Sequence, residues 1–467
     1  MANEQAKFLQ GSLIGHIITM SLTASVGLLA IFAVDVVDMI FISMLGISEL
    51  AAAIGFAGTI IFFSSSMSIG LSIAAGALVA KSLGQNNPER AKEAFTHALM
   101  FGFAFTVLVS SLIWFNLHTI TGWVGATGST QDMAVGYLQI IVPTMPFLMC
   151  GIVASATLRS HGAAKLSMAA TLTAGVVNAV LDPIFIFTLD MGLNGAAWAS
   201  AISRVAMTIV ALWPIFRRYG GFSSLKLKPV FKDFRPIANI AFPAMLANVA
   251  MPVGIAFVTR ISAIYGEEAV AGMAIIARLT PISFALIFAM SGAIGPIIGQ
   301  NFGARNFDRV EMAYRQSVML VAIYVSAMVL LLYLLRVHIA DAFNAVGTTR
   351  DLIYLFCGPL SLAWIFTGII FVSNAAYNNL GHPYYATWIN WGRNTLGIAP
   401  IVYVTAKFWG AEGVLIGQML GGVLVAIVAF ILARKTINDA RKLDAAKTEG
   451  PAMGPNERSF KVMNHRQ

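Results

Sequence analysis

Long apolar runs, broken by short polar or glycine-containing turns, follow one another from residue 14 to residue 434. A membrane-spanning helix needs about 20 mostly apolar residues. Runs of that kind predict helices over 14–45, 49–81, 90–118, 131–158, 164–188, 193–217, 236–264, 268–300, 309–335, 351–379, 384–405 and 410–434. The expected fold is therefore an all-α integral membrane protein with about twelve transmembrane helices. Several runs exceed the minimum length, which predicts tilt or extension beyond the bilayer.

The pattern repeats on a larger scale. Gly84-Gln85-Asn86-Asn87-Pro88-Glu89-Arg90 aligns with Gly303-Ala304-Arg305-Asn306-Phe307-Asp308-Arg309, Gly128-Ser129-Thr130-Gln131-Asp132 with Gly347-Thr348-Thr349-Arg350-Asp351, and Glu49 with Glu268, always at an offset of 219. After a small shift near the eleventh helix, Gly195 pairs with Gly413. An even number of spans in each half makes the repeats parallel, so two six-helix lobes are related by a pseudo-two-fold axis along the membrane normal. Transporters with such halves hold the substrate between them. The chain divides into an N-terminal lobe over 1–218, a basic linker over 219–235, a C-terminal lobe over 236–440 and a tail over 441–467. The tail is polar and contains Gly and Pro, a composition that predicts disorder.

Composition agrees with the pattern. Of 467 residues, 58% are hydrophobic and only 11% charged, against about 25% charged in an ordinary soluble chain. The net charge of +9 does not mark a nucleic-acid partner, because it is collected in loops. Lys81, Arg90, Lys165, Arg217, Arg218, Lys226, Lys232, Arg305 and Arg309, with Arg434, Lys435, Arg441 and Lys442 of the tail, fall on one side; Arg336, Arg350 and Lys407 are nearly all the other side has. That asymmetry predicts a multi-pass protein of the bacterial inner membrane with both termini cytoplasmic. Cys150 and Cys357 lie in apolar runs without metal-ligand spacing and read as packing residues. No phosphate-binding glycine loop, metal motif or ATPase domain is present. An enzyme is not expected, and energy must come from an ion gradient, with H⁺ or Na⁺ as coupling ion and no cofactor.

Three acids lie in the spans: Asp35, Asp38 and Asp182. An ionised Asp at the bilayer centre costs roughly 2.5–3.5 kcal/mol and is functional by default. Asp35 and Asp38 share a helix face, as do Asn178 and Asp182. Asp38, Asp182 and Ser200 lie six or seven residues from the outer ends of their helices, so all three sit ~9–11 Å below the outer surface at ~1.5 Å per residue. Pro183 leaves the Ala179 carbonyl without its helical amide partner, free for an ion or a water. Arg204, Arg260, Arg278 and Arg393 also fall inside predicted spans. They either snorkel and pair with helix ends or, for Arg278 and Arg393, face an anionic ligand in a central cavity that Trp391 would also line.

Several stretches resemble the multidrug and toxic compound extrusion (MATE) family of antiporters. They are Val37-Asp38-Met39-Ile40-Phe41-Ile42-Ser43-Met44-Leu45-Gly46 followed by Glu49-Leu50-Ala51-Ala52, Leu158-Arg159 with Gly162 and Lys165, Asn178-Ala179-Val180-Leu181-Asp182-Pro183, and Gly195-Ala196-Ala197-Trp198-Ala199-Ser200. The resemblance covers essentially all of 10–435. Membrane acids confined to the first half, Asp38 and Asp182, resemble the branch of DNA-damage-inducible protein F. Two features depart from the family pattern: helix one lacks an early proline, with Ala24 opposite Pro243, and Ala163-Ala164 replace a polar pair.

The resemblance implies a monomeric secondary transporter that exchanges amphipathic, cationic small molecules for H⁺ or Na⁺ by alternating access. Ion and substrate would meet at Asp38, Asp182, Asn178, Asp35 and Ser200, with any Na⁺ held by Asp38, Asp182 and Asn178. The alternative is a flippase or exporter of a lipid-linked or anionic substrate built on the same architecture, with Arg278 and Arg393 at the headgroup.

Overall fold

A computed structural model describes residues 6–45, 48–224 and 227–449. Gly46, Lys226 and residues 450–467 lie outside the described residues. Among those described, eleven stretches are long and apolar enough to cross a membrane. The last of them, Pro383–Ala446, is two spans, because Trp409 (φ −126°) and Gly410 (φ 57°, ψ −132°) break the helix. The result is twelve helices, as the apolar runs predict.

The N-terminal lobe consists of α1 (Leu13–Ser43), α2 (Ser48–Gly84), α3 (Pro88–Phe115), α4 (Gly128–Ser160), α5 (Ala164–Thr188) and α6 (Gly192–Arg218). The C-terminal lobe consists of α7 (Leu227–Ala263), α8 (267–303), α9 (Phe307–Ala342), α10 (347–380), α11 (383–408) and α12 (410–449). The repeat is visible in the caps. Asn87 and Asn306 accept from the Arg90 and Arg309 amides at 3.0 and 3.3 Å and start α3 and α9 alike. Prolines shape the interruptions. Pro143 sits in a 3₁₀ turn, Val142–Thr144, inside α4, and Pro359 opens the corresponding turn, Pro359–Ala363, inside α10. α1 has no proline and runs unbroken for 31 residues.

Two boundaries differ from the sequence reading. Residues 227–235 of the expected linker already belong to α7. Val230, Asp233, Ile237 and Ala241 are buried at helical spacing while Phe231, Lys232 and Phe234 are exposed, so an amphipathic helix forms where charge suggested a tether. Likewise, α12 continues to Glu449 rather than giving way to a tail at 441. Thr436 and Ile437 are buried, and Arg441 pairs with Asp308 and Glu311 of α9 at 2.8 and 3.2 Å.

Each lobe has its own apolar core, around Leu71, Phe95, Met149 and Met207 in the first and around Ile294, Tyr314, Val325 and Tyr377 in the second. Two buried tyrosine hydroxyls are satisfied internally: Tyr377 donates to the Ala429 carbonyl at 2.6 Å, and Tyr314 bonds Ser373 at 2.9 Å. The lobes join at the end where α1 begins and α12 finishes, here the termini face, the opposite end being the far face. At Gly84 a Cβ would overlap the Gln300 carbonyl, and at Gly303 one would overlap the Lys81 carbonyl, so α2 and α8 cross backbone to backbone. Deeper in, Gly70 of α2 leaves room for Met245 and the Ala241 carbonyl of α7.

Candidate functional site

α1 and α5 run parallel, and small residues let them close up. A Cβ on Gly27 would lie 3.4 Å from Thr171, and one on Gly175 would lie 3.3 Å from Val34. Continued toward the far face, that ladder sets Asp38 opposite Asp182, carboxyl to carboxyl and within hydrogen-bonding reach. Asp182 is fully buried, Asp38 half-buried. One turn before Asp182, Asn178 is buried as well.

Among the described residues, no donor reaches three of the four oxygens of this pair. Asp38 Oδ1, both Asp182 oxygens and the Asn178 Nδ2 are buried without a hydrogen-bond partner. Ionised carboxylates only accept, so a bond between the two requires a shared proton. A buried acceptor left unsatisfied costs about 1–3 kcal/mol. Three orphaned oxygens therefore suit a cation: a proton, or a small ion of the kind transporters hold with oxygen ligands.

Helix chemistry positions the acid. Pro183 ends the regular part of α5, and a π turn follows over Ile184–Thr188, with Leu189 N donating to the Ile184 carbonyl at 2.9 Å. π turns recur at functional sites. Gly195 of α6 lets this turn approach, since a Cβ there would sit 2.6 Å from Phe185 C and 2.7 Å from its carbonyl oxygen. Ser200, one and a half turns along α6, is half-buried and bonded to Tyr137 of α4.

Tyr137 is the residue that sequence reasoning missed. Its hydroxyl meets Ser200, and Arg204, Asp38 and Asp182 are its charged neighbours. The signal was available, because Tyr137 lies six residues inside the outer end of the 131–158 run, the same depth that groups Asp38, Asp182 and Ser200. Arg204 is tied to the α4 interruption, donating to the Ile141 carbonyl at 3.1 Å and to Thr144 Oγ1 at 2.9 Å.

The remaining candidates are spread out. Asp35 is exposed, one turn from Asp38. Arg278 of α8 is exposed too and crosses between the lobes, with Nη2 3.2 Å from the sulfur of Met39, next to Asp38. Trp391 and Arg393 lie within the C-terminal lobe, away from the acids. Trp391 donates to the Leu246 carbonyl at 3.0 Å, and Arg393 donates to Thr367 Oγ1 at 3.1 Å.

The family model MatE matches this chain twice, over residues 23–184 in one lobe and 243–404 in the other. The chain belongs to the MatE family. Its members are transporters, not enzymes. Among similar proteins, a Shewanella oneidensis protein described as a FAD transporter is 24% identical over 90% of this chain and 94% of its own length. A Staphylococcus aureus multidrug export protein, MepA, is 23% identical over 88% and 91%. A mutant of the Vibrio cholerae MATE transporter VcmN superimposes with a TM-score of 0.85 at 24% identity, covering 91% of this chain and 97% of that one. The two-lobe MATE fold is thus common to both structures. This MatE chain is an integral membrane exporter of small compounds.

Proposed function

We propose that this MatE protein is a secondary efflux transporter of the bacterial plasma membrane, with the termini face cytoplasmic, that exchanges amphipathic cationic compounds for protons by alternating access. The observation that supports this most directly is the carboxyl pair, Asp38 and Asp182, with its three unpartnered oxygens in the N-terminal lobe. Such a pair can hold a proton or a cationic group, and each competes with the other. Asn178, Ser200 and Asp35 assist, by polar contact or by adding charge. A proton entering from the far face displaces the drug, and the difference in affinity between the two lobe arrangements supplies the coupling. In a second mode Na⁺ replaces the proton on the same oxygens.

A second reading is export of an anionic compound. It draws on the FAD transporter of Shewanella oneidensis, a 24% identical relative, and on Arg278, a cation exposed beside Met39.

Efflux of a fluorescent cationic dye from proteoliposomes tests both readings. Under an imposed pH gradient without sodium, wild type should transport and Asp38→Asn should fall to the level of empty vesicles. Transport only with sodium would replace the coupling ion. Silence with the dye under both gradients, together with FAD release that Arg278→Gln abolishes, would overturn the cationic reading in favour of the anionic one.

A further inference from the structure

The duplicated loops Gly84–Arg90 and Gly303–Arg309 end in arginines that occupy equivalent positions, three residues after the capping asparagines. Both arginines reach out of their own lobe. Arg90, on α3, takes Asp233 at the start of α7 with two prongs: Nη1 lies 2.6 Å from Oδ2, and Nη2 bonds Oδ1. Asp233 is only 3% exposed and also meets His97 Nδ1 at 2.6 Å. Glu93 lies 3.1 Å from Arg90 as well.

Arg309, on α9, takes the segment that leads into α1. Its Nη2 donates to the Phe8 carbonyl at 3.0 Å and to the Gly11 carbonyl at 3.3 Å. Its Nε donates to Asn301 Oδ1 at 3.1 Å, while Asn301 Nδ2 donates to the same Phe8 carbonyl at 3.2 Å. Gln300, fully buried, accepts from the Phe8 amide at 2.9 Å and donates to the Ser160 carbonyl at 2.7 Å. The third helix of each lobe therefore grips the leading end of the first helix of the other. The pseudo-two-fold axis relates the two grips.

We propose that Arg90 and Arg309 are a matched pair of latches that close the termini face, and that both release when the cleft opens toward that face. The inference rests on the alternating-access reading above. A bidentate arginine–carboxylate pair is among the stronger protein hydrogen-bonding arrangements. A buried carboxylate that loses its arginine is costly to keep in place. Arg309 holds mainly neutral carbonyls, which water can satisfy once the lobes part. The Arg90 latch is therefore the stronger of the two, and its loss shifts the equilibrium further.

The experiment is a distance measurement between spin labels at two exposed termini-face positions, Lys165 in the first turn of α5 in the N-terminal lobe and His382 in the C-terminal lobe, with Cys150 and Cys357 replaced by Ala. It is read without substrate or gradient, so a failure of the coupling-ion reading leaves it interpretable. Wild type should give a predominantly short separation. Arg309→Gln should raise the ratio of long to short separations about tenfold, the equivalent of one hydrogen bond to a charged group. Arg90→Gln should raise it further, and the double variant most. An unchanged distribution in the double variant would overturn the proposal. If that variant does not fold, Asp233→Asn keeps both arginines and should reproduce Arg90→Gln; no shift there would overturn the Arg90 latch.

Discussion

Two carboxyls facing each other in a membrane interior cannot both remain charged and unpaired, and among the described residues no donor reaches Asp38 Oδ1 or either Asp182 oxygen. A polar frame lies beside them. Tyr137 is bonded to Ser200 and neighbours both that pair and Arg204. Tyr137→Phe keeps the ring and deletes the hydroxyl, and a hydrogen bond of this kind is worth about 0.5–1.5 kcal/mol. We expect a folded protein whose transport rate falls roughly two- to tenfold, read in the proteoliposome assay beside Asp38→Asn. A rate equal to wild type would remove Tyr137 from the coupling frame. Sequence reasoning could set Asp38, Asp182 and Ser200 at one depth because helix register is arithmetic. It passed over Tyr137 because only tertiary packing shows which way a tyrosine in an apolar run faces.

Between elements, the site depends on how closely α5 and α6 approach. Gly195 leaves 2.6 Å between an imagined Cβ and the Phe185 backbone, so Gly195→Val must drive the π turn of α5 outward. Overpacking of this kind costs typically 1–3 kcal/mol. The expected result is a lower melting temperature together with loss of transport, although every acid is still present; unaltered transport would show that the π turn tolerates displacement. The pairing of Gly195 with Gly413 was visible in the repeat, and the Gly413 counterpart packs in the same manner against the Thr405 carbonyl. The π turn itself was not foreseen, since Pro183 foretells a lost hydrogen bond but not how the next turn rewinds. Boundaries next to water were the least legible. Basic residues before 236 and a polar composition after 441 suggested a linker and a tail, whereas Asp233 is buried in α7 and Arg441 pairs with α9 on a helix that runs to Glu449.

At the scale of the whole molecule, the offset of 219 that aligns the two halves reappears as geometry at the termini face. Gly84 meets the Gln300 carbonyl and Gly303 meets the Lys81 carbonyl, two contacts exchanged by the same pseudo-two-fold operation that exchanges Arg90 and Arg309. If this crossing closes the lobes as one unit, damage to either side must be felt on both. Gly84→Ala and Gly303→Ala each introduce a methyl where the opposing backbone already lies, and backbone cannot move aside as a flexible side chain can. Each should loosen the crossing by about 1–3 kcal/mol. Hydrogen–deuterium exchange reads this directly, because local opening sets the exchange rate of the amides concerned. Both variants should accelerate exchange in 78–84 and in 297–303 to a similar degree, whichever helix carries the substitution. Acceleration confined to the substituted helix would mean that the two contacts are independent, and the symmetric closure would have to be abandoned.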